Sequence, residues 1–169
     1  MQIGHNRKMT GAQCLADMLK GYGVTHVFHV PAVLRSTYAE MERRETGIKR
    51  LHVHGEKAAA YMADGYARAS GKPGICMAQV IGALNLAAGL RDAWLAHSPV
   101  IAMTGGREPK TKFRQVYQEV DDMPAFEPGP PCRADAEAQR GKAVDVVRVA
   151  ADREPHAGIG RHACLHIVE

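Results

Sequence analysis

The first two thirds of the chain alternate between segments whose apolar residues have helical spacing and segments that are apolar or β-branched throughout. The first segment is helical, because Thr10 and Gln13 have the spacing of a capping box and apolar residues follow at helical intervals. These apolar residues are Ala12, Leu15, Met18 and Leu19. The pair Gly21 and Gly23 is expected to end this helix.

Three more helices and four strands are predicted before residue 106. The helices are expected at residues 34–44, 56–70 and 82–96, and the strands at residues 24–30, 48–54, 74–81 and 99–105. Gly71 is a typical C-cap for the third helix. Strands that alternate with helices in this way predict an α/β fold, with a parallel sheet and helices on both faces.

The last forty residues have a weaker pattern. The string EPGPP at 127–131 indicates a turn or linker, and the Ala-, Arg- and Asp-rich stretch that follows predicts a helix near 133–152. ACLHIV at 163–168 predicts a final strand. We therefore assign residues 1–128 to one domain and treat residues 129–169 as an atypical tail, which could complete the same domain.

Composition narrows the function classes. Of the 169 residues, 46% are hydrophobic and 24% are charged, which is typical of one folded domain. The net charge is +4, but Lys and Arg are scattered among acidic residues, and three Phe and one Trp supply no stacking platform for bases. We therefore predict no nucleic-acid partner.

Cysteines and apolar runs bear on the compartment. The four cysteines have no C-x-x-C spacing, which predicts reduced thiols and not a structural zinc site. The first residues contain no apolar leader, and no later run is long enough to span a membrane. We expect a cytoplasmic protein with no membrane partner.

The strongest candidate for chemistry is Glu56, in the segment HGEKAAAYMADGYARASGKPG at 54–74. It places a carboxylate in the first turn of a predicted helix, where free N–H groups and the helix dipole favour negative charge. Ligands of parallel sheets bind at the carboxyl ends of the strands, where Glu56 would lie. The alternative is a solvated glutamate that only favours the helix start.

This segment and LAAGLRDAWLAHSPVIAMTGG at 86–106 resemble the thiamine-diphosphate-dependent enzymes, in their acetolactate-synthase-like or decarboxylase branch. The resemblance covers roughly residues 10–126, and it implies that residues 1–128 form a pyrimidine-binding (PYR) domain. It also implies that Glu56 is the activating glutamate. In that family this carboxylate binds a ring nitrogen of the aminopyrimidine and favours the imino tautomer, which then deprotonates the thiazolium carbon.

Other family positions carry over in part. The family's Gly-x-Pro-Gly loop appears as HVPA, which keeps Pro31, and its GPGATN-like turn appears as VIGALN, which keeps Gly82 and Asn85. The resemblance implies that these residues and Gln118 shape the pyrimidine pocket. A plain turn or capping role is the alternative for each.

The resemblance also implies a missing half. Complete members bind the diphosphate through Mg²⁺ in a second domain with a GDG signature, and no GDG occurs in these 169 residues. We therefore expect a homo-oligomer or a separate diphosphate-binding subunit as partner, Mg²⁺ only through that partner, and a 2-oxo acid as substrate. We do not expect the chain alone to be an active lyase or transferase.

Two alternatives remain open. The chain could be a truncated, non-catalytic remnant or docking module of an acetolactate-synthase-like enzyme, with interfaces on the Ala-rich faces of 58–67 and 83–96, unless those faces are buried within the domain. A metal site is the other, from strand histidines that share a strand or a face: His26, His29, His52 and His54. Without a cysteine partner for them, we predict no metal site.

Overall fold

The computed structural model describes residues 9–31, 33–105, 114–117, 119–120 and 126, together with the strand backbone at 144–149 and 166–167. Four helices are α1 (Gly11–Gly21), α2 (Arg35–Arg43), α3 (Glu56–Ser70) and α4 (Gly82–Leu95). Six strands are β1 (His26–His29), β2 (Lys49–His52), β3 (Gly74–Ala78), β4 (Val100–Gly105), β5 (Val144–Val149) and β6 (His166–Ile167).

The strands form one sheet in the order β2-β1-β3-β4-β5-β6. Strands β1 to β5 are parallel, and β6 is antiparallel to β5. The chain passes from β1 to β2 on one side and then to β3 on the other side of β1. The connections therefore reverse direction between β1 and β3, which is the topological switch point where open α/β sheets bind ligands.

Helices cover both faces of the sheet, which confirms the predicted α/β fold. On one face, α1 and α2 contribute Ala16, Leu19 and Met41 to a core with strand residues that include Val27 and Met77. On the other face, α3 and α4 pack on a second core that includes Phe28, Cys76, Ala60 and Leu86. All five residues of β3 are buried, as expected for a strand covered on both sides.

Glycine and alanine bring α3 close to its neighbours. A Cβ at Gly89 of α4 would lie 2.7 Å from the Ala60 Cβ, and a Cβ at Gly74 would lie 2.0 Å from the Ala63 carbonyl oxygen. Backbone cannot withdraw from such a contact as a flexible side chain can, so only glycine fits at position 74. This close approach explains the second glycine of the GKPG turn.

Most predicted elements are confirmed with small changes of boundary. The capping box of α1 is present, since the Gln13 N–H donates to Thr10 Oγ1 at 3.2 Å and the Thr10 N–H donates to Gln13 Oε1 at 3.1 Å. Helix α3 has its predicted bounds and ends at Gly71, which adopts the left-handed conformation with φ of 66°. Each of the first three strands is three residues shorter than predicted.

The helix predicted near 133–152 is wrong over residues 144–149, which form β5 and pair in parallel with β4. Four valines in VDVVRV favour a strand, and the edge of β4 offers unpaired backbone groups to it. The rest of that predicted helix lies outside the described residues. The predicted last strand is confirmed only at His166–Ile167, and the domain boundary at residue 128 stays a prediction.

The structure also bears on the predictions about free cysteines and membrane spans. Cys14 and Cys76 are free thiols, and burial raises the pKa of Cys76 to about 12, while Cys132 and Cys164 lie outside the described residues. In the described part of the chain, no helix combines the length and the apolar character that a membrane span requires.

Two glycines, one inside α3 and one beside it, predict opposite effects of the same substitution. Gly74→Ala forces a methyl group against the Ala63 carbonyl and should lower the free energy of unfolding by about 2 kcal/mol or more. Gly65→Ala is the matched control, because Gly65 is an exposed mid-helix residue whose added Cβ meets nothing within 4 Å. It should raise the free energy of unfolding by up to about 1 kcal/mol.

Urea unfolding followed by circular dichroism measures both changes. Equal effects of the two substitutions would contradict the close packing of β3 against α3.

Candidate functional site

Glu56 begins α3 at the carboxyl edge of the sheet. It follows β2 after a short turn in which Gly55, the N-cap residue, is extended with φ of −169° and offers no side chain to the first N–H groups. The helix N-terminus therefore presents unpaired N–H groups and a positive dipole end beside the carboxylate. The side chain of Glu56 is partly buried.

The Glu56 carboxylate contacts the first turn of α4. The side-chain amide of Asn85 donates a hydrogen bond from Nδ2 to Glu56 Oε2 at 3.1 Å. Gly82 supplies the room for this contact, because a Cβ there would lie 2.6 Å from Glu56 Oε1. Since α3 follows β2 and α4 follows β3, the carboxylate links the two segments on either side of β1.

The two carboxylate oxygens have different surroundings. Oε2 accepts from Asn85, whereas Oε1 makes no hydrogen bond with any of the described residues. An acceptor at the helix N-terminus that is partly buried and held by an amide can bind an N–H group of a ligand. In the described segments, no three His, Cys, Asp or Glu side chains form a metal-binding group.

Two exposed apolar residues adjoin Gly82 and Asn85 in the chain. Ile81 and Leu84, at the start of α4, are 38% and 42% exposed, and they alternate with Gly82 and Asn85. Sequence reasoning did not single them out. The signal that could have found them is a pair of large apolar residues three apart at a helix start built mainly of small residues.

The remaining predicted site residues are distributed as follows. Pro31 is exposed in the turn after β1, at the same edge of the sheet as Glu56. Gly82 is buried and Asn85 is exposed, and both contact Glu56 as described. Gln118 lies outside the described residues. The structure therefore brings together Glu56, Gly82 and Asn85.

The strand histidines do not form one cluster. His29 and His52 stack with ring centroids 5.9 Å apart, whereas the ring of His26, at the opposite end of β1, lies tilted against Tyr66. Burial is the main cause that lowers the pKa of His29, and repulsion from His52 lowers it further, although a hydrogen bond to the Val30 carbonyl opposes both.

Comparison with known proteins gives the family. The profile of the family described as thiamine pyrophosphate enzyme, N-terminal TPP binding domain, matches residues 9–125. An acetolactate synthase of Arthrospira platensis is 40% identical over 119 residues, which cover 68% of this chain and 21% of that protein. A probable acetolactate synthase large subunit of Methanocaldococcus jannaschii is 36% identical over 121 residues, which cover 71% of this chain and 20% of that protein.

The acetolactate synthase isozyme 2 large subunit of Escherichia coli K12 is 39% identical over 115 residues, or 67% of this chain and 21% of that protein. The matched segment thus spans about a fifth of each of these three relatives. The family profile covers well over half of the chain and includes the whole of the Glu56 site. The chain therefore belongs to the thiamine pyrophosphate enzymes and carries their N-terminal thiamine pyrophosphate-binding domain.

Proposed function

We propose that this chain is the pyrimidine-binding half of a thiamine-diphosphate-dependent 2-oxo acid decarboxylase or carboligase in the cytoplasm. Glu56 binds the aminopyrimidine ring and activates the cofactor, in company with a partner domain that binds the diphosphate. The observation that carries the proposal is the partly buried Glu56 carboxylate, held by Asn85 against Gly82 at the carboxyl edge of the sheet.

The residues present fit the pyrimidine end of thiamine diphosphate. A ring nitrogen that bears a proton needs an acceptor, and Glu56 Oε1 offers one that no described residue uses. The Asn85 amide fixes the other oxygen, so the carboxylate keeps one orientation while it exchanges a proton with the ring. Gly82 leaves space for the carboxylate that any larger residue would fill.

The bound cofactor would supply an electron sink for cleavage or formation of the bond next to the keto carbon of a 2-oxo acid. The chain's own part is to hold the pyrimidine and move one proton at Glu56. The names of the relatives, acetolactate synthases, support carboligation as the outcome. The matched segment is about a fifth of each of those proteins, so their activity does not transfer directly to this chain, and a 2-oxo acid substrate is proposed.

A partner domain would complete the site. These 169 residues contain no GDG, so Mg²⁺ and the diphosphate would be bound by that partner domain. Ile81 and Leu84 are exposed beside Gly82 and Asn85, where apolar surface would favour contact with the partner or the ring.

A docking module without chemistry is the second candidate. It is favoured by the exposed apolar residues Tyr61 and Met62 on α3, which are 43% and 42% exposed. Most alanines of the Ala-rich faces are instead buried within the domain, among them Ala59, Ala63, Ala83 and Ala93. Gel filtration with a full-length relative, without cofactor, would test this candidate.

Removal of the Glu56 charge should abolish activation. In a mixture of this chain, Mg²⁺, thiamine diphosphate and a GDG-bearing subunit from the same genome, we expect calorimetry to detect cofactor binding that neither chain gives alone. Glu56→Gln should slow exchange of the thiazolium C2 hydrogen for deuterium by about 100-fold or more, because an amide cannot exchange a proton with the ring nitrogen as a carboxyl group does. Proton NMR measures that exchange.

The matched control is Glu45→Gln, which makes the same change at an exposed residue distant from the site. With this variant, the thiazolium C2 hydrogen should exchange at the wild-type rate. If the mixture binds the cofactor and Glu56→Gln exchanges as fast as Glu45→Gln, the proposed role of Glu56 is wrong. If no mixture binds the cofactor, the docking module replaces the proposal.

A methyl group at Gly82 should displace the same carboxylate without unfolding the domain. In Gly82→Ala the new Cβ would contact Glu56 Oε1 and Cγ at 2.6 and 2.9 Å, and a side chain can rotate away from such a contact. We expect the Asn85 side-chain amide signal in a ¹⁵N–¹H spectrum to shift from its wild-type position, because its hydrogen bond to Glu56 Oε2 is disturbed.

The same Gly82→Ala variant should exchange the thiazolium C2 hydrogen at least tenfold more slowly than the wild type, because a displaced Glu56 carboxylate is poorly placed to exchange a proton with the ring. Gly65→Ala is the control for glycine replacement and should leave both the Asn85 signal and the exchange rate unchanged. A Gly82→Ala variant with wild-type values of both would disprove the contact between Glu56 and α4.

A further inference from the structure

The carboxyl edge of the sheet also carries two histidines that the proposed cofactor site does not use. His29 ends β1 and His52 ends β2, and the two are direct partners in the parallel register. Partners in register on neighbouring strands project side by side from the sheet. Their rings stack, with 5.9 Å between centroids and an angle of 24° between the planes. We call His29 and His52 the histidine pair.

The inner member of the pair, His29, is partly buried and packs against α2. Its Nδ1 lies 3.3 Å from the Val30 carbonyl oxygen and donates a proton to it, whereas Nε2 makes no hydrogen bond with any of the described residues. The Tyr38 ring of α2 lies 4.7 Å away between centroids. The neutral ring is satisfied by these contacts, so a second proton would have to enter at Nε2.

The charge that acts on His29 is positive. Arg50 lies two residues before the outer histidine on β2, on the same face, and it repels a charged His29. Its guanidinium also joins β2 to α2, because it donates to the Tyr38 carbonyl oxygen at 3.4 Å and pairs with the exposed Glu42 carboxylate. From β3, the partner of His29 in register is the uncharged Met77.

A proton on His29 would therefore place a partly buried cation beside Arg50 and His52, while Arg50 already occupies the neighbouring carboxylate. Burial is the largest cause that lowers the pKa of His29, and repulsion from His52 and Arg50 adds to it, although the Val30 carbonyl opposes them. An unfolded histidine takes up its proton near pH 6.5, about the ordinary pKa, and the folded one does so at lower pH. The stability that depends on neutral His29 is thus present above that pH and is lost as the pH falls below it.

Helix α2 is the element that this charge would affect most. It has nine residues, and its N-cap, Leu34, has φ of 43° and gives no side-chain hydrogen bond to the first turn. A short helix without a cap depends on its packing, which here includes the contact of Tyr38 with His29. The other end is held to α1, since Arg44 donates to both oxygens of Asp17.

We propose that the histidine pair is an acid-sensitive contact, in which a proton on His29 weakens the packing of the N-terminal half of α2 on the carboxyl edge of the sheet. This contact lies on the α2 face, whereas the Glu56 carboxylate contacts α4 on the other face. The proposal does not depend on the proposed function.

Hydrogen exchange of the full chain, measured by mass spectrometry at about pH 7.5 and 5.5 and corrected for intrinsic rates, tests the contact. We expect the protection of α2 amides to fall by about threefold to tenfold at the lower pH, tenfold being roughly the limit for one proton. At both pH values α2 should exchange faster than α4, because it opens without global unfolding. In His29→Gln the fall should be less than twofold.

His52→Gln is a second variant at an exposed position, and it should raise the pH midpoint of the His29 ring signal in a proton NMR titration, because it removes one repulsive neighbour. His97→Asn is the matched control, since it removes an exposed histidine after α4 and asparagine tolerates the positive φ of 54° there. It should keep the wild-type fall in α2 protection. In all three variants the Asn85 side-chain amide signal should stay in place, so the result is independent of the Glu56 site.

Three results would overturn the proposal. The first is a wild type whose α2 protection is the same at both pH values, and the second is a His29→Gln variant, shown to be folded by circular dichroism, that behaves like His97→Asn. The third is equal protection of α2 and α4, since the domain would then open only as one unit. If His29→Gln does not fold, an unchanged His29 midpoint in His52→Gln decides against the pair.

Discussion

The close approach of α3 to α4 and β3 is the constraint on which the candidate site depends. Ala60 meets Gly89 where the helices cross, and the Ala63 carbonyl lies against Gly74 at the start of β3. With larger residues at these contacts, the helix would stand further from the sheet. The first turn of α3 would then move away from α4, and Glu56 would lose its hydrogen bond to Asn85.

The small residues of α3 allow this close approach, but they bury little apolar surface. Each alanine removes little apolar surface from water, so α3 depends on tight contacts over its whole length and not on a few large side chains. The helix also buries a charge, Asp64. Burial raises the pKa of Asp64, but the hydrogen bonds and positive charge of Arg68, with a contribution from Ser98, together outweigh this effect and hold the pKa below its usual value. Arg68 thus keeps a buried carboxylate ionised that would be costly alone.

Local signals explain how much of this could be predicted. The bounds of α3 followed from Glu56 and Gly71, and the capping box fixed the start of α1, because these residues act on their own helix. The helix predicted over residues 144–149 is wrong because the strand preference of their valines is weak beside the helix preference of the nearby alanines. Pairing with the edge of β4, which is distant in sequence, decides for the strand. Pairing partners remote in sequence leave no local pattern.

The candidate site divides in the same way. Glu56 and Gly82 could be singled out from the sequence, yet their contact depends on how α3 packs, which no spacing reveals. His29 and His52 are neighbours only because β2 lies next to β1, and the strand order could not be read from the chain.

The alternation of a strand separates the surroundings of neighbouring residues at this edge of the sheet. Phe28 of β1 packs in the core beneath α3 and α4, whereas the next residue, His29, contacts Tyr38 of α2. Consecutive residues point to opposite faces. The Glu56 carboxylate, held by Asn85 of α4, and the His29 ring, packed on Tyr38 of α2, therefore lie on different sides of the sheet, and a change at one does not alter the contacts of the other.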